Sequence, residues 1–140
     1  MKKSILALSV VSILFTACKK DKDEPAAVTP TVENLSGSYK LDKITAKAGT
    51  SAESPVTDEW VDACQKDDIQ KLNANLSYEY QDAGTACDPS GSYSGSWKLN
   101  SATSIELDGD SYAIRKFNGK SLELTEDFGG ATIIFYMVKQ

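Results

Sequence analysis

From residue 35 to the C-terminus, apolar and polar side chains alternate over short runs, and a turn signal interrupts them about every eight to twelve residues. A strand points successive side chains to opposite faces, so this period gives each run one dry face and one wet face. Helical spacing is nearly absent. The expected strands are Ser38–Ala46, Ile69–Asn73, Leu76–Gln81, Ser94–Leu99, Ser104–Asp108, Ser111–Phe117, Ser121–Glu126 and Thr132–Lys139. Asp108-Gly109 and Asn118-Gly119 supply the positive-φ residues that tight hairpins require, and Phe128-Gly129-Gly130 marks a looser reversal. The fold class is therefore all-β: eight antiparallel strands, each paired with its neighbour, curl their dry face inward as an up-and-down barrel. Closure also removes the exposed edges that recruit further strands.

Tyr39 and Leu41, Leu76, Tyr78 and Tyr80, Trp97 and Leu99, Ile105 and Leu107, Tyr112 and Ile114, and Leu122 and Leu124 share the dry side. The last strand breaks the rule, because Ile133 to Val138 is apolar on both faces. It needs a cover or a partner. One short helix over Asp58 to Lys66, capped by Asp58 and presenting Trp60, Val61 and Cys64, is the expected cover.

The N-terminus follows a different logic. Lys2 and Lys3 precede an uncharged apolar stretch, Ser4 to Ala17, too short to cross a bilayer as a helix of roughly 20 residues. Residues 1–17 read as a signal peptide. Leu14-Phe15-Thr16-Ala17-Cys18 resembles a bacterial lipobox, in which the cysteine is acylated on sulfur and becomes the new N-terminus. Buried methylenes contribute about 0.8 kcal/mol each, so two or three acyl chains at Cys18 hold a protein on a membrane without spanning it. Ordinary secretory cleavage that leaves Cys18 a free thiol, or an uncleaved anchor, are the alternatives. Residues 18–34 then form a lipidated, charged and proline-bearing tether, and residues 35–140 form the barrel domain.

Three cysteines become two once Cys18 is acylated, which leaves Cys64 and Cys87 to pair as a disulfide in an exported body. The formal net charge of −5 gives no positive field for phosphates, so nucleic acid is not an expected partner. The absence of histidine removes the commonest general base and metal ligand together. Gly91-Ser92-Tyr93-Ser94-Gly95 has tyrosine where a nucleophile elbow needs serine. Asp67-Asp68 and Asp108-Gly109-Asp110 lack the spacing of a calcium loop. No catalytic residue, metal or cofactor is expected.

Gly37-Ser38-Tyr39-Lys40-Leu41, Cys64-Gln65-Lys66-Asp67-Asp68, Cys87-Asp88-Pro89, Gly95-Ser96-Trp97-Lys98-Leu99, Leu107-Asp108-Gly109 and Tyr112 resemble the lipocalin-like lipoproteins of Bacteroidetes from about Leu35 to the C-terminus. The resemblance implies an eight-stranded barrel with a disulfide at the positions of Cys64 and Cys87. The Gly-x-Trp of the first lipocalin strand stands here as Gly37-Ser38-Tyr39. The charged run after Cys18 is similar to signals that carry such lipoproteins to the outer leaflet. The expected location is the outer membrane, with the body held by its lipid in the periplasm or at the surface.

Tyr39, Tyr78, Trp97 and Tyr112 are the candidate ligand-binding residues, since amphipathic rings in a barrel either cradle a small molecule or simply fill the interior. The expected function is capture of a small hydrophobic or amphipathic ligand. The alternative is a protein-interaction module of an envelope assembly, with the barrel filled by its own side chains.

Overall fold

The computed structural model describes residues 26–140. The expected signal peptide and Cys18 lie outside the described residues.

Nine antiparallel strands form one sheet: β1 (Gly37–Ala48), β2 (Ser54–Pro55), β3 (Ile69–Leu72), β4 (Ser77–Gln81), β5 (Tyr93–Ser101), β6 (Ser104–Leu107), β7 (Asp110–Phe117), β8 (Ser121–Phe128) and β9 (Ala131–Lys139). Each strand from β3 onward pairs with the next, and β9 returns to pair with β1, so the sheet closes in a ring. β1 makes the closure by spanning two partners. Its first residues, Gly37–Lys40, pair with β3, while Tyr39–Ala48 pair with β9 along the opposite edge. Eight of the strands are those expected from the alternation. The ninth, β2, is a two-residue extension opposite Thr45 and Ala46, too short to leave a periodic signal.

The hairpins follow local turn chemistry. Asp108 and Gly109 both take positive φ, 50° and 95°, the geometry that matches the twist of the flanking strands. At the β7–β8 hairpin only Gly119 does so, at 86°; the Asn118 side chain instead accepts the Lys120 and Ser121 N–H groups at 3.0 and 2.7 Å. Gly129 and Gly130, with φ of 61° and 85°, form a tight two-residue loop between the paired Phe128 and Ala131, where a looser reversal was expected.

The dry face fills the barrel with Tyr39, Leu72, Tyr78, Trp97, Ile105 and Leu122 among its buried members. Leu76 departs from the expected pattern. It lies in the β3–β4 turn with φ of 68° and is 40% exposed; its backbone closes the turn onto Asn73 O and accepts the Trp97 N–H. A bulge between Leu41 and Lys43 resets the alternation in β1 and turns Ile44 into the buried set.

The single helix expected over Asp58–Lys66 is two separate turns, α2 (Thr57–Trp60) and a 3-10 turn at Ala63–Gln65. Asp58 does not cap the first. The cap position is Val56, which offers no side-chain acceptor, the Thr57 hydroxyl is engaged with the Ile44 backbone, and Asp58 pairs with Lys66 at 2.5 Å. Without a capping side chain a four-residue helix has little to extend it. An additional helix, α1 (Val32–Leu35), precedes β1; Thr31 caps it by accepting the Asn34 N–H, and it delivers Leu35 fully buried into one end of the barrel.

The doubly apolar β9 has two covers. On the outside, Glu53, from the loop before β2, accepts hydrogen bonds from Tyr136 O–H at 2.6 Å, Arg115 at 2.9 Å and Thr45 O–H at 3.1 Å. On the other side, Trp60 of α2 meets Phe135 edge-on at 6.0 Å.

Candidate functional site

The antiparallel order places the strand starts and ends at two unlike poles. One pole gathers α1, the β3–β4, β5–β6 and β7–β8 turns and the C-terminus. There Tyr39 O–H donates to Leu35 O at 2.7 Å, Trp97 Nε1–H donates to Asn73 O at 2.8 Å, and Lys139 Nζ donates to Asn34 O at 2.9 Å. Each of these three polar groups has a partner, as a sealed end requires. The segment before α1 lies here too, with Val28 N–H donating to Phe117 O at 2.8 Å.

Three of the four aromatic residues singled out from sequence belong to this packed interior. Tyr39, Tyr78 and Trp97 are buried in the core cluster, and the Tyr78 hydroxyl donates to Gln70 Oε1 at 3.1 Å. Burial pushes the Tyr39 phenol up to about 12 and raises that of Tyr78, with Tyr93 adding to it. Tyr112, the fourth, borders a cavity.

The opposite pole is open. A hollow of about 100 Å³ lies between Leu41, Val61 and Phe135 on one side and Asp68, Gln70 and Tyr80 on the other. A second, of about 80 Å³, reaches from Phe135 past Tyr112 to Leu124 and Met137, deeper in the barrel. Leu41, Gln70 and Phe135 border both. Rings frame the opening: Trp60 stands edge-on to Phe128 at 5.5 Å, Tyr112 edge-on to Phe135 at 5.8 Å, and Tyr80 stacks on Tyr93 at 5.4 Å with 12° between planes. Trp60, Tyr93 and Phe128 remain 36%, 47% and 65% exposed.

The disulfide and three aspartates shape this pole. Cys64 and Cys87 are joined, with their Cα atoms 5.3 Å apart, which ties the 3-10 turn after α2 to the β4–β5 loop. Closing a loop of 23 residues stabilises the folded state by roughly 3 kcal/mol in the chain-entropy account. Within the loop, Asp82 accepts the N–H groups of Cys87 at 3.1 Å and Gly91 at 3.2 Å. Asp67 accepts that of Thr85 at 2.9 Å and Asp68 that of Ala83 at 3.0 Å. Gly84 (φ 61°) is required here, because a Cβ would collide with the Asp67 carboxylate.

Hydrogen bonding to Cys87 holds the Asp82 carboxyl below its usual range. Glu126 moves the other way, raised by burial and then by the nearby charge of Asp110. Burial and these same two carboxylates push the Tyr112 phenol up to about 12, and burial with Asp68 raises that of Tyr80. Among the described residues, no group of three or more carboxylate or cysteine side chains is placed to hold a metal ion.

Sequence reasoning named Trp60 and Val61 only as a cover and overlooked Asp68 and Gln70 as lining residues. Their signal was present: counting back in twos from Leu72 puts Gln70 and Asp68 on its face. Phe135 was unassignable on a strand apolar on both sides.

A family model for a lipocalin-like domain matches residues 35–127. No curated protein and no solved structure matches the chain.

Proposed function

Because the chain belongs to the lipocalin-like domain family, we propose that it holds a small hydrophobic or amphipathic ligand at the open pole of its barrel, without catalysis, while anchored to the cell envelope through an acylated Cys18. The observation that carries the ligand reading is the pair of adjoining hollows about Phe135, of about 100 and 80 Å³, set against a sealed opposite pole. Together they match the scale of a cavity of ~150 Å³ that takes up benzene. The occupant is therefore ring-sized or short-chained. What supports a non-catalytic role is composition: no histidine is present, and the buried phenols are raised, the wrong direction for a base at neutral pH.

The anchor reading rests on the sequence of residues 1–18, and the expected place is the bacterial outer membrane, on either its periplasmic or its surface side. Val28 lies against the sealed pole. A tether from Cys18 therefore meets the body at the end opposite the opening.

Mass spectrometry of the lipidated chain extracted from membranes tests both parts. The expected result is a small molecule released on denaturation and a diacylglyceryl mass increment on Cys18. An unmodified Cys18 in the mature protein refutes the anchor. A protein that is empty, and whose Trp60 emission responds to no small apolar probe, refutes ligand capture. That outcome favours the second reading, a protein-interaction module, which the exposed rings of Trp60, Tyr93 and Phe128 support.

A further inference from the structure

The fold concentrates acid at the open pole. The segments that border it, residues 49–68, 82–92, 108–110 and 126–130, carry twelve carboxylates and one lysine among the described residues. That lysine, Lys66, is already engaged by Asp58. The other ion pairs among the described residues, Lys71 with Glu79, Lys98 with Glu106, and Arg115 with Glu53 and Glu123, lie on the outer wall, so Glu53 is one of the twelve that does not face the opening. Four carboxylates adjoin the hollows or the tyrosines around them: Asp68 in the wall, Asp82 near Tyr80, and Asp110 and Glu126 near Tyr112. Among the described residues, none of the four has a lysine or arginine nitrogen within 4.0 Å.

Asp68 is the decisive group. It is only 4% exposed, its carboxylate accepts from Ala83 N–H at 3.0 Å, and it lines the same hollow as Tyr80. A carboxylate offers about four acceptor positions, so capacity remains. Its neighbour Asp67 buries Oδ1 with no donor among the described residues. Buried charge is ordinarily paired, because leaving water without a counter-ion is costly. Here no lysine or arginine among the described residues supplies the counter-ion within 4.0 Å, and the aromatic faces beside the hollow suit a cation as well as an apolar body.

We infer, resting on the ligand-binding reading above, that the open pole takes molecules in which a small apolar body carries a positively charged amine. The apolar body seats against Phe135 and Leu41, and the amine turns toward Asp68, Tyr80 and the acidic rim. The same field repels carboxylate-headed molecules such as fatty acids.

Calorimetric titration of the full chain with phenethylamine, phenylethanol and phenylpropionate tests this, since the three share a ring and a short chain and differ in charge. The amine is expected to bind about tenfold or more tightly than the carboxylate at low salt, with the alcohol between them, and added salt should narrow the gap. Asp110→Asn with Glu126→Gln should weaken the amine several-fold and leave the alcohol unchanged. Asp68→Asn should remove most of the preference; if that variant does not fold, the rim pair carries the test. A carboxylate that binds as tightly as the amine, or a preference that survives the rim substitutions undiminished, overturns this inference while leaving ligand capture standing. No binding of any of the three overturns both.

Discussion

The two poles of the barrel are built from the same strands and finished in opposite ways. At the sealed pole α1 drops Leu35 into the ring, Tyr39 and Trp97 lie fully buried beside it, and their polar atoms are spent on backbone carbonyls. At the open pole the rings are half-buried or exposed, Asp68, Asp82, Asp110 and Glu126 lack basic partners among the described residues, and a disulfide does the holding that packing does elsewhere. The difference teaches that the closed sheet supplies a stable wall throughout, while stability and recognition are divided between its ends. Small barrels are just wide enough to be filled by side chains or to leave room for one small molecule. This one does the first below Phe135 and the second around it.

That division breaks most visibly under large-to-small substitution. Trp97→Ala at the sealed pole should cost about 3–5 kcal/mol, whereas Trp60→Ala at the open pole should cost about 1 kcal/mol or less, because Trp60 is already partly in water. Urea melts of the two variants measure the gap, and equal losses would show that the open pole is as tightly packed as the sealed one. Next in size is the disulfide. Cys64→Ser with Cys87→Ser should lower stability by roughly 3 kcal/mol, and hydrogen exchange should rise first in residues 57–68 and 82–92, leaving β6 to β9 protected. A uniform rise would mean that the bond secures the whole barrel.

The smallest effects are those of pH, and they carry opposite signs. Asp82, held below its usual range by Cys87 N–H, stabilises the fold above that range and loses its contribution as pH falls through the depressed value. Glu126, raised by burial and Asp110, opposes folding once ionised, so its share of stability is greatest below the usual carboxylate range and is lost as pH rises through the raised value. Glu126→Gln should therefore gain stability at neutral pH, by no more than about 0.5 kcal/mol, while Asp82→Asn should loosen the β4–β5 loop at neutral pH and erase the acid sensitivity of its exchange rates.

Legibility in the sequence followed the range of the interaction. Asp108-Gly109 announces a hairpin because backbone sterics act over two residues, and the five consecutive strands β5 to β9, joined by short turns, leave little freedom of order. Cys64 and Cys87 were readable by elimination. The helix was misread because Trp60, Val61 and Cys64 suggest one apolar face, whereas the segment breaks where Thr57 bonds to Ile44 and Asp62 N–H donates to Gln65. Tyr112 was identified among the cavity residues, yet Tyr39, Tyr78 and Trp97 share its face and lie in the packed interior. Facing inward is a local property, but height along the axis depends on the stagger of the whole ring.

Alternation, turn residues and cysteine number determined by themselves that this chain makes an all-β antiparallel meander with a cross-link, since each acts between residues close in sequence or through a simple count. Only the tertiary structure decided that the sheet closes, which pole is sealed, that Phe135 divides the remaining space, and that Asp68 meets that space with no basic partner among the described residues. Those facts arise where β1 meets β9 and where two loops cross over one opening, and the groups brought together there are dozens of residues apart, beyond the reach of any local period.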